Sequence, residues 1–153
     1  MKSNRKVWIL LDDDRALLEI VVTLAEIWGK EPVALRGGNE AMAWLKDFRE
    51  GRYTGQTPEL ALMDIRMPGG PQGDEVAREM RMTPGLRGMA IVLMTANFYD
   101  GTQESHLLAE TGADAFVRKP FPVLDDLKKT LDRAIHKRVS MRLRTAQGTQ
   151  HLH

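Results

Sequence analysis

Five short apolar runs, separated by longer segments with helical periodicity, govern what this chain can fold into. The runs are Lys6–Leu11, Val33–Arg36 (directly after Pro32), Leu60–Met63, Met89–Met94 and Ala113–Val117. Each reads as a buried strand. Between and after them lie apolar faces at helical spacing. The first comprises Leu17, Ile20, Val21, Leu24 and Ile27 or Trp28, and the second Ala41, Met42, Trp44, Leu45 and Phe48. A weaker third face has Val76, Ala77 and Met80, and a fourth carries Leu107 and Leu108 and stops at Gly112. The fifth has Val123 or Leu124, then Leu127, Leu131, Ala134 and Ile135.

Strand–helix alternation repeated five times predicts an α/β fold, a parallel sheet with helices on both faces. Right-handed crossovers leave few topologies. The expected one is a doubly wound, five-stranded, flavodoxin-like three-layer sandwich with strand order 2-1-3-4-5. Ligands in such sheets bind beyond the carboxyl ends of the strands, where the strand order reverses. Asp12-Asp13-Asp14 follows the first strand and Asp64 closes the third. Those two strands flank the reversal.

The 153 residues suit one domain. The chain has no cysteine, so disulfides and thiolate metal sites are excluded. The start, Met1 to Leu11, is basic and then apolar like a signal peptide, but the apolar part is short and runs into three aspartates without a cleavage site. No window reaches the length of a membrane span, so a cytoplasmic protein is expected. Five of the 22 basic residues, Arg133, Lys137, Arg138, Arg142 and Arg144, lie from Arg133 onward, with none of the 21 acids. Residues 1–132 therefore carry 17 basic against 21 acidic groups, a net charge near −4, and an acidic body ends in a basic tail. The expected boundaries are a domain over residues 5–138 and a tail over 139–153, as a helix extension or disordered.

Carboxylates gathered at one edge raise one another's pKa, and a bound cation or a nearby ammonium lets them stay ionised together. Magnesium suits a few carboxylate oxygens while keeping room for waters and phosphate oxygens. Asp14 is expected to cap the first helix, leaving Asp12 and Asp13 for the cation; solvated turn residues are the plainer alternative. Asp64 is either a turn residue or a carboxylate nucleophile able to form an acyl phosphate. Thr95, ending the fourth strand, carries a hydroxyl that can donate to a phosphoryl oxygen. Lys119, ending the fifth, can balance the carboxylates before reaction and the phosphoryl charge after it. Taken singly each has a bland explanation; four such groups at four strand ends on one edge point to a site.

The combination Leu11-Asp12-Asp13-Asp14, Met63-Asp64-Ile65-Arg66-Met67-Pro68, Met94-Thr95-Ala96 and Lys119-Pro120-Phe121 resembles the receiver domain of two-component response regulators, over roughly residues 5–138. The resemblance implies that Asp64 accepts a phosphoryl group from the phosphohistidine of a sensor histidine kinase or a histidine phosphotransfer protein. It implies Mg²⁺ on Asp13, Asp64 and the backbone carbonyl of Arg66, with Asp12 assisting through water. Thr95 and Lys119 would contact the phosphoryl oxygens, with Thr95 and Phe116 as the switch pair and a cis bond at Lys119-Pro120. The domain would be no enzyme beyond its own phosphorylation and dephosphorylation. It would signal to a downstream protein, or through a homodimer, by the fourth helix, fifth strand and fifth helix. The chain departs from the family in Gly69-Gly70-Pro71-Gln72-Gly73, about one residue longer than usual and lacking the usual acid. Phe116 also lacks a hydroxyl, and Arg66 and Asn97 hold positions that tune dephosphorylation in the family.

Other readings carry less. A phosphorelay intermediate uses the same residues. The basic tail has no interleaved aromatics and no reading motif, so nucleic acid is not the expected partner. A phosphohydrolase would need a hydroxyl soon after an Asp-x-Asp, and Arg15-Ala16-Leu17 supplies none. Trp28 and Trp44 read as core, most of the nine methionines as core filler, and His136 as solvent-facing. His151 and His153 look like a metal-binding end, in a terminus expected to fray.

Overall fold

A computed structural model describes residues 4–97, 99–121 and 123–151; His153 and the side chain of His151 fall outside the described set. The strands are β1 (Val7–Leu11), β2 (Glu31–Leu35), β3 (Leu60–Asp64), β4 (Ala90–Thr95) and β5 (Ala115–Arg118). The helices are α1 (Arg15–Ile27), α2 (Gly38–Arg49), α3 (Gly73–Met82), α4 (Gly101–Thr111) and α5 (Leu124–His151). All strand pairs are parallel, in the order β2-β1-β3-β4-β5. This is the expected doubly wound α/β fold.

The apolar runs are continuous because both sheet faces are covered, and alternate residues serve opposite sides. Ile9, Leu11, Ala61, Met63, Ile91 and Leu93 pack with α2, α3 and α4. Trp8, Leu10, Leu60, Leu62, Val92 and Met94 pack with α1 and α5. The tryptophans pack as expected: Trp28 lies edge-on to Trp8 at 6.0 Å, and Trp44 stacks on Phe48 at 5.4 Å. Met63, Met67, Met80, Met89 and Met94 are buried filler, and His136 is exposed.

Three expectations need correction. β2 begins at Glu31 and contains Pro32, placed just before the strand from sequence. It is an edge strand, where a proline's missing N–H costs the ladder nothing. On α1 the buried residues are Leu18, Val21, Leu24 and Ala25, whereas Ile20 and Ile27 are 51% and 71% exposed. The helix is apolar around most of its circumference, so spacing alone does not fix which side turns inward. At the start of α5, Val123 and Leu124 are exposed, and burial begins at Leu127, followed by Leu131 and Ala134.

The helix caps agree with the local chemistry. Asp14 accepts from the Leu17 N–H at 3.1 Å and caps α1. Asp100 and Gln103 form a reciprocal capping box on α4. Gly112 ends that helix at φ +74°, left-handed backbone that glycine adopts without strain. Beyond position 138, α5 continues unbroken to His151.

At the amino edge of the sheet, Asp114 ties α5 to the body. Its buried carboxylate accepts from Arg138 Nε at 2.7 Å, Arg81 Nη2 at 3.1 Å and the Ile91 N–H at 2.9 Å. Both arginines also donate to the Gly112 carbonyl, and Arg81 reaches Met89 as well. Burial, then the neighbouring Arg138, presses the Arg81 guanidinium down to about 10, leaving it charged at neutral pH.

Candidate phosphoacceptor and metal site

At the opposite edge, the carboxyl ends of β1, β3, β4 and β5 bring together the four groups singled out from sequence. Asp12 follows β1 and is fully buried, its N–H held by the Leu35 carbonyl at 3.1 Å. One of its carboxylate oxygens accepts from the Asp14 N–H at 2.9 Å and the other from Lys119 Nζ at 2.7 Å. Asp64 is the last residue of β3 and is buried. Lys119 Nζ lies 3.3 Å from it, so one ammonium bridges both carboxylates. Asp13 is exposed at the mouth.

Asp12, Asp13 and Asp64 each offer a carboxylate oxygen, and these atoms lie within 4.8 Å of one another. Three carboxylates against one ammonium leave the pocket two charges short of neutral. Burial pushes the Asp64 carboxyl from 3.8 to about 6; Lys119 opposes that rise, and Asp12 and Asp13 add to it. Burial alone would lower the Lys119 pKa, but its bond to Asp12 and the charge of Asp64 outweigh it and raise the value. Burial thus disfavours the Asp64 charge, while the two neighbouring carboxylates hold the Lys119 proton in place. A hard divalent cation with oxygen ligands fits that donor set.

Thr95 ends β4 and is buried. Its hydroxyl oxygen accepts from the Asn97 N–H at 3.0 Å, which leaves its hydrogen to donate. The Thr95 carbonyl accepts from the Lys119 N–H at 2.8 Å, joining the ends of β4 and β5 beside the cis Lys119-Pro120 bond. Phe116 is half-buried on β5, with the Tyr99 ring 6.2 Å away. Arg66 and Asn97 are exposed. A cavity of about 560 Å³ opens beside the site, its lining including Ile65, Arg66, Tyr99, His106 and Leu107.

The backbone around Asp64 permits no side chain at position 73. A Cβ on Gly73 would stand 1.9 Å from the Asp64 carbonyl oxygen, so α3 starts against the main chain of Asp64. Sequence reasoning noted this loop only for its length and its missing acid. It gave no sign of Tyr99 beside Phe116 or of the bonds made by Gln72.

The family model for the response regulator receiver domain matches residues 9–132, a span containing every group described at this edge. The chain belongs to that family. This receiver domain is 32% identical over 121 residues to the sensor protein GacS of Pseudomonas syringae and 29% identical over 114 residues to the transcriptional regulatory protein CpxR of Klebsiella pneumoniae. The matches cover 77% and 74% of the chain but only 12% and 42% of those relatives. Among solved structures, the chemotaxis response regulator CheY4 of Vibrio cholerae matches with a TM-score of 0.68 at 21% identity, over 86% of this chain and 99% of that one. The signal receiver domain of an HD domain-containing protein from Pseudomonas fluorescens matches with a TM-score of 0.72 at 16% identity, over 94% and 96%. Receiver domains typically bind Mg²⁺ at a cluster of acidic residues and interact with histidine kinases and downstream effectors. No helix among the described residues is long and apolar enough to cross a membrane.

Proposed function

We propose that this receiver domain accepts a phosphoryl group on Asp64 from the phosphohistidine of a sensor kinase or phosphotransfer protein. The supporting observation is Lys119 bridging Asp12 and Asp64 beside a three-carboxylate cluster. An Asp64 oxygen attacks phosphorus as the phosphorus–nitrogen bond to the donor imidazole breaks, and the imidazole departs with the bonding electrons. Asp12, Asp13, Asp64 and the Arg66 carbonyl would hold Mg²⁺. Bound there, the ion supplies positive charge for the carboxylates and the incoming phosphoryl oxygens.

The chain's own groups do the rest. Lys119 is already fixed between two carboxylates and exchanges part of that contact for a phosphoryl oxygen. Thr95 turns its free hydroxyl hydrogen to another. As Thr95 shifts, the half-buried Phe116 ring gains room to turn inward, and its neighbour Tyr99 moves with it. A change at Asp64 is thereby read out at α4 and β5, the surface for a downstream protein or a second copy. The phosphate selects among conformations the domain already visits.

Incubation with acetyl phosphate and Mg²⁺, followed by intact-mass and peptide analysis, tests the reading. One phosphoryl group should appear on the peptide containing Asp64, and chelator or Asp64→Asn should abolish it. Equal modification of Asp64→Asn refutes it.

A further inference from the structure

Gln72 occupies the N-cap position of α3 and makes no side-chain cap bond. Its amide reaches back five residues instead. Oε1 accepts from the Met67 N–H at 3.0 Å, and Nε2 donates to the Met67 carbonyl at 2.6 Å and the Gly70 carbonyl at 3.3 Å. Only a group that both donates and accepts can hold the N–H and the carbonyl of Met67 together, and that N–H belongs to the same peptide group as the Arg66 carbonyl. A carboxylate would keep the first bond and turn an oxygen toward the Met67 carbonyl.

The neighbouring backbone is fixed as well. The Ile65 N–H donates to the Met94 carbonyl at 3.0 Å, and the Ile65 carbonyl accepts from the Gly73 N–H at 2.8 Å. The Met67 side chain is buried. The carbonyls on either side of Arg66 are therefore both engaged, and among the described residues no hydrogen bond reaches the Arg66 carbonyl itself. The outer loop leans on α2. Asn39 donates to the Gly69 carbonyl at 3.3 Å, and a Cβ on Gly38 would stand 1.9 Å from the Pro71 carbonyl oxygen. Gln72 joins that buttressed outer loop to the short inner stretch after Asp64.

The geometry points to Gln72 as a positioning residue that holds the Arg66 main-chain carbonyl in place as a divalent-cation ligand beside Asp64. This rests on the reading of Asp12, Asp13 and Asp64 as the cation site. It assigns to the amide of this longer loop the task of keeping one neutral ligand pre-oriented, so that the ion need not order the loop.

The test has a metal-free arm and a metal arm. In chelator-treated protein, amide hydrogen exchange should find the Met67 N–H protected, and Gln72→Ala should speed its exchange about tenfold or more while the core amides stay protected. In calorimetric titration with MgCl₂, Gln72→Ala should weaken binding by about tenfold, with Gln72→Glu between it and the wild type. At saturating Mg²⁺, Asp64 should still be modified by acetyl phosphate in Gln72→Ala. Unchanged Met67 exchange, or wild-type Mg²⁺ affinity in Gln72→Ala, overturns the assignment and leaves the cation site standing. Failure of the wild-type protein to bind Mg²⁺ overturns both.

Discussion

Removing the Asp64 charge should stabilise the metal-free protein. The Asp64 carboxyl ionises at about 6 in the folded chain against 3.8 for an unperturbed group, chiefly because it is buried. The folded state thus favours the protonated form. That contribution is complete below pH 3.8 and is lost as pH rises through about 6. At about 1.4 kcal/mol per unit, the upper limit of the loss is ~3 kcal/mol. Water at the open mouth, where Asp13 is exposed, reduces this to roughly 1–2 kcal/mol. Asp64→Asn removes the charge, keeps the shape, and leaves Lys119 its 2.7 Å contact with Asp12. In chelator at neutral pH the variant should melt roughly 2–8 °C above the wild type, and the gap should close as pH falls below the wild-type group's pKa. Excess Mg²⁺ should reverse the order by stabilising the wild type, about 2.7 kcal/mol at a hundredfold excess over its dissociation constant. Thermal melts across pH, with and without metal, supply the measurement. A metal-free Asp64→Asn that is no more stable than the wild type at neutral pH would refute the argument that burial outweighs Lys119.

Asp114→Ala leaves two partly buried guanidinium groups without their carboxylate and should cost about 3 kcal/mol in urea melts; a loss below about 1 kcal/mol would mean the carbonyls of Gly112 and Met89 suffice. Gly73→Ala forces a methyl group against the Asp64 carbonyl and should lower both stability and phosphorylation rate, so wild-type rates would contradict the close packing found there. Asp14→Ala removes the α1 cap for about 1 kcal/mol and should leave Mg²⁺ affinity unchanged, which separates the third aspartate of the triplet from the other two. A marked fall in Mg²⁺ affinity would place Asp14 among the ligands instead.

The sequence made the site legible because the fold turns strand ends into neighbours. In a parallel sheet every strand points the same way, so residues at the ends of β1, β3, β4 and β5 share one edge whatever their separation along the chain. Asp12 and Lys119 are 107 residues apart and still 2.7 Å apart in space. Continuous apolar runs made the strands legible for the same reason, since a sheet covered on both sides demands them. The inward side of α1 was not legible. Leu17, Leu18, Ile20, Val21, Val22 and Leu24 are apolar in turn, and with so little polar surface the helix's rotation is decided by packing against Trp8 and Leu10.

Backbone partners explain what stayed hidden. Asp114 gave no signal because its two arginines come from α3 and α5, and nothing in Gly112-Ala113-Asp114 specifies them. Gln72 is the sharper case. A sequence shows that a carboxylate is missing from the loop, but the groups that Gln72 bonds are the N–H and carbonyl of Met67, which any residue there except proline would also present. Side-chain identity encodes the clamp and says nothing of its target. A site whose charged groups sit on strand ends can therefore be read from motifs, whereas the amides that hold a loop to such a site emerge only when each backbone donor and acceptor is followed to its partner.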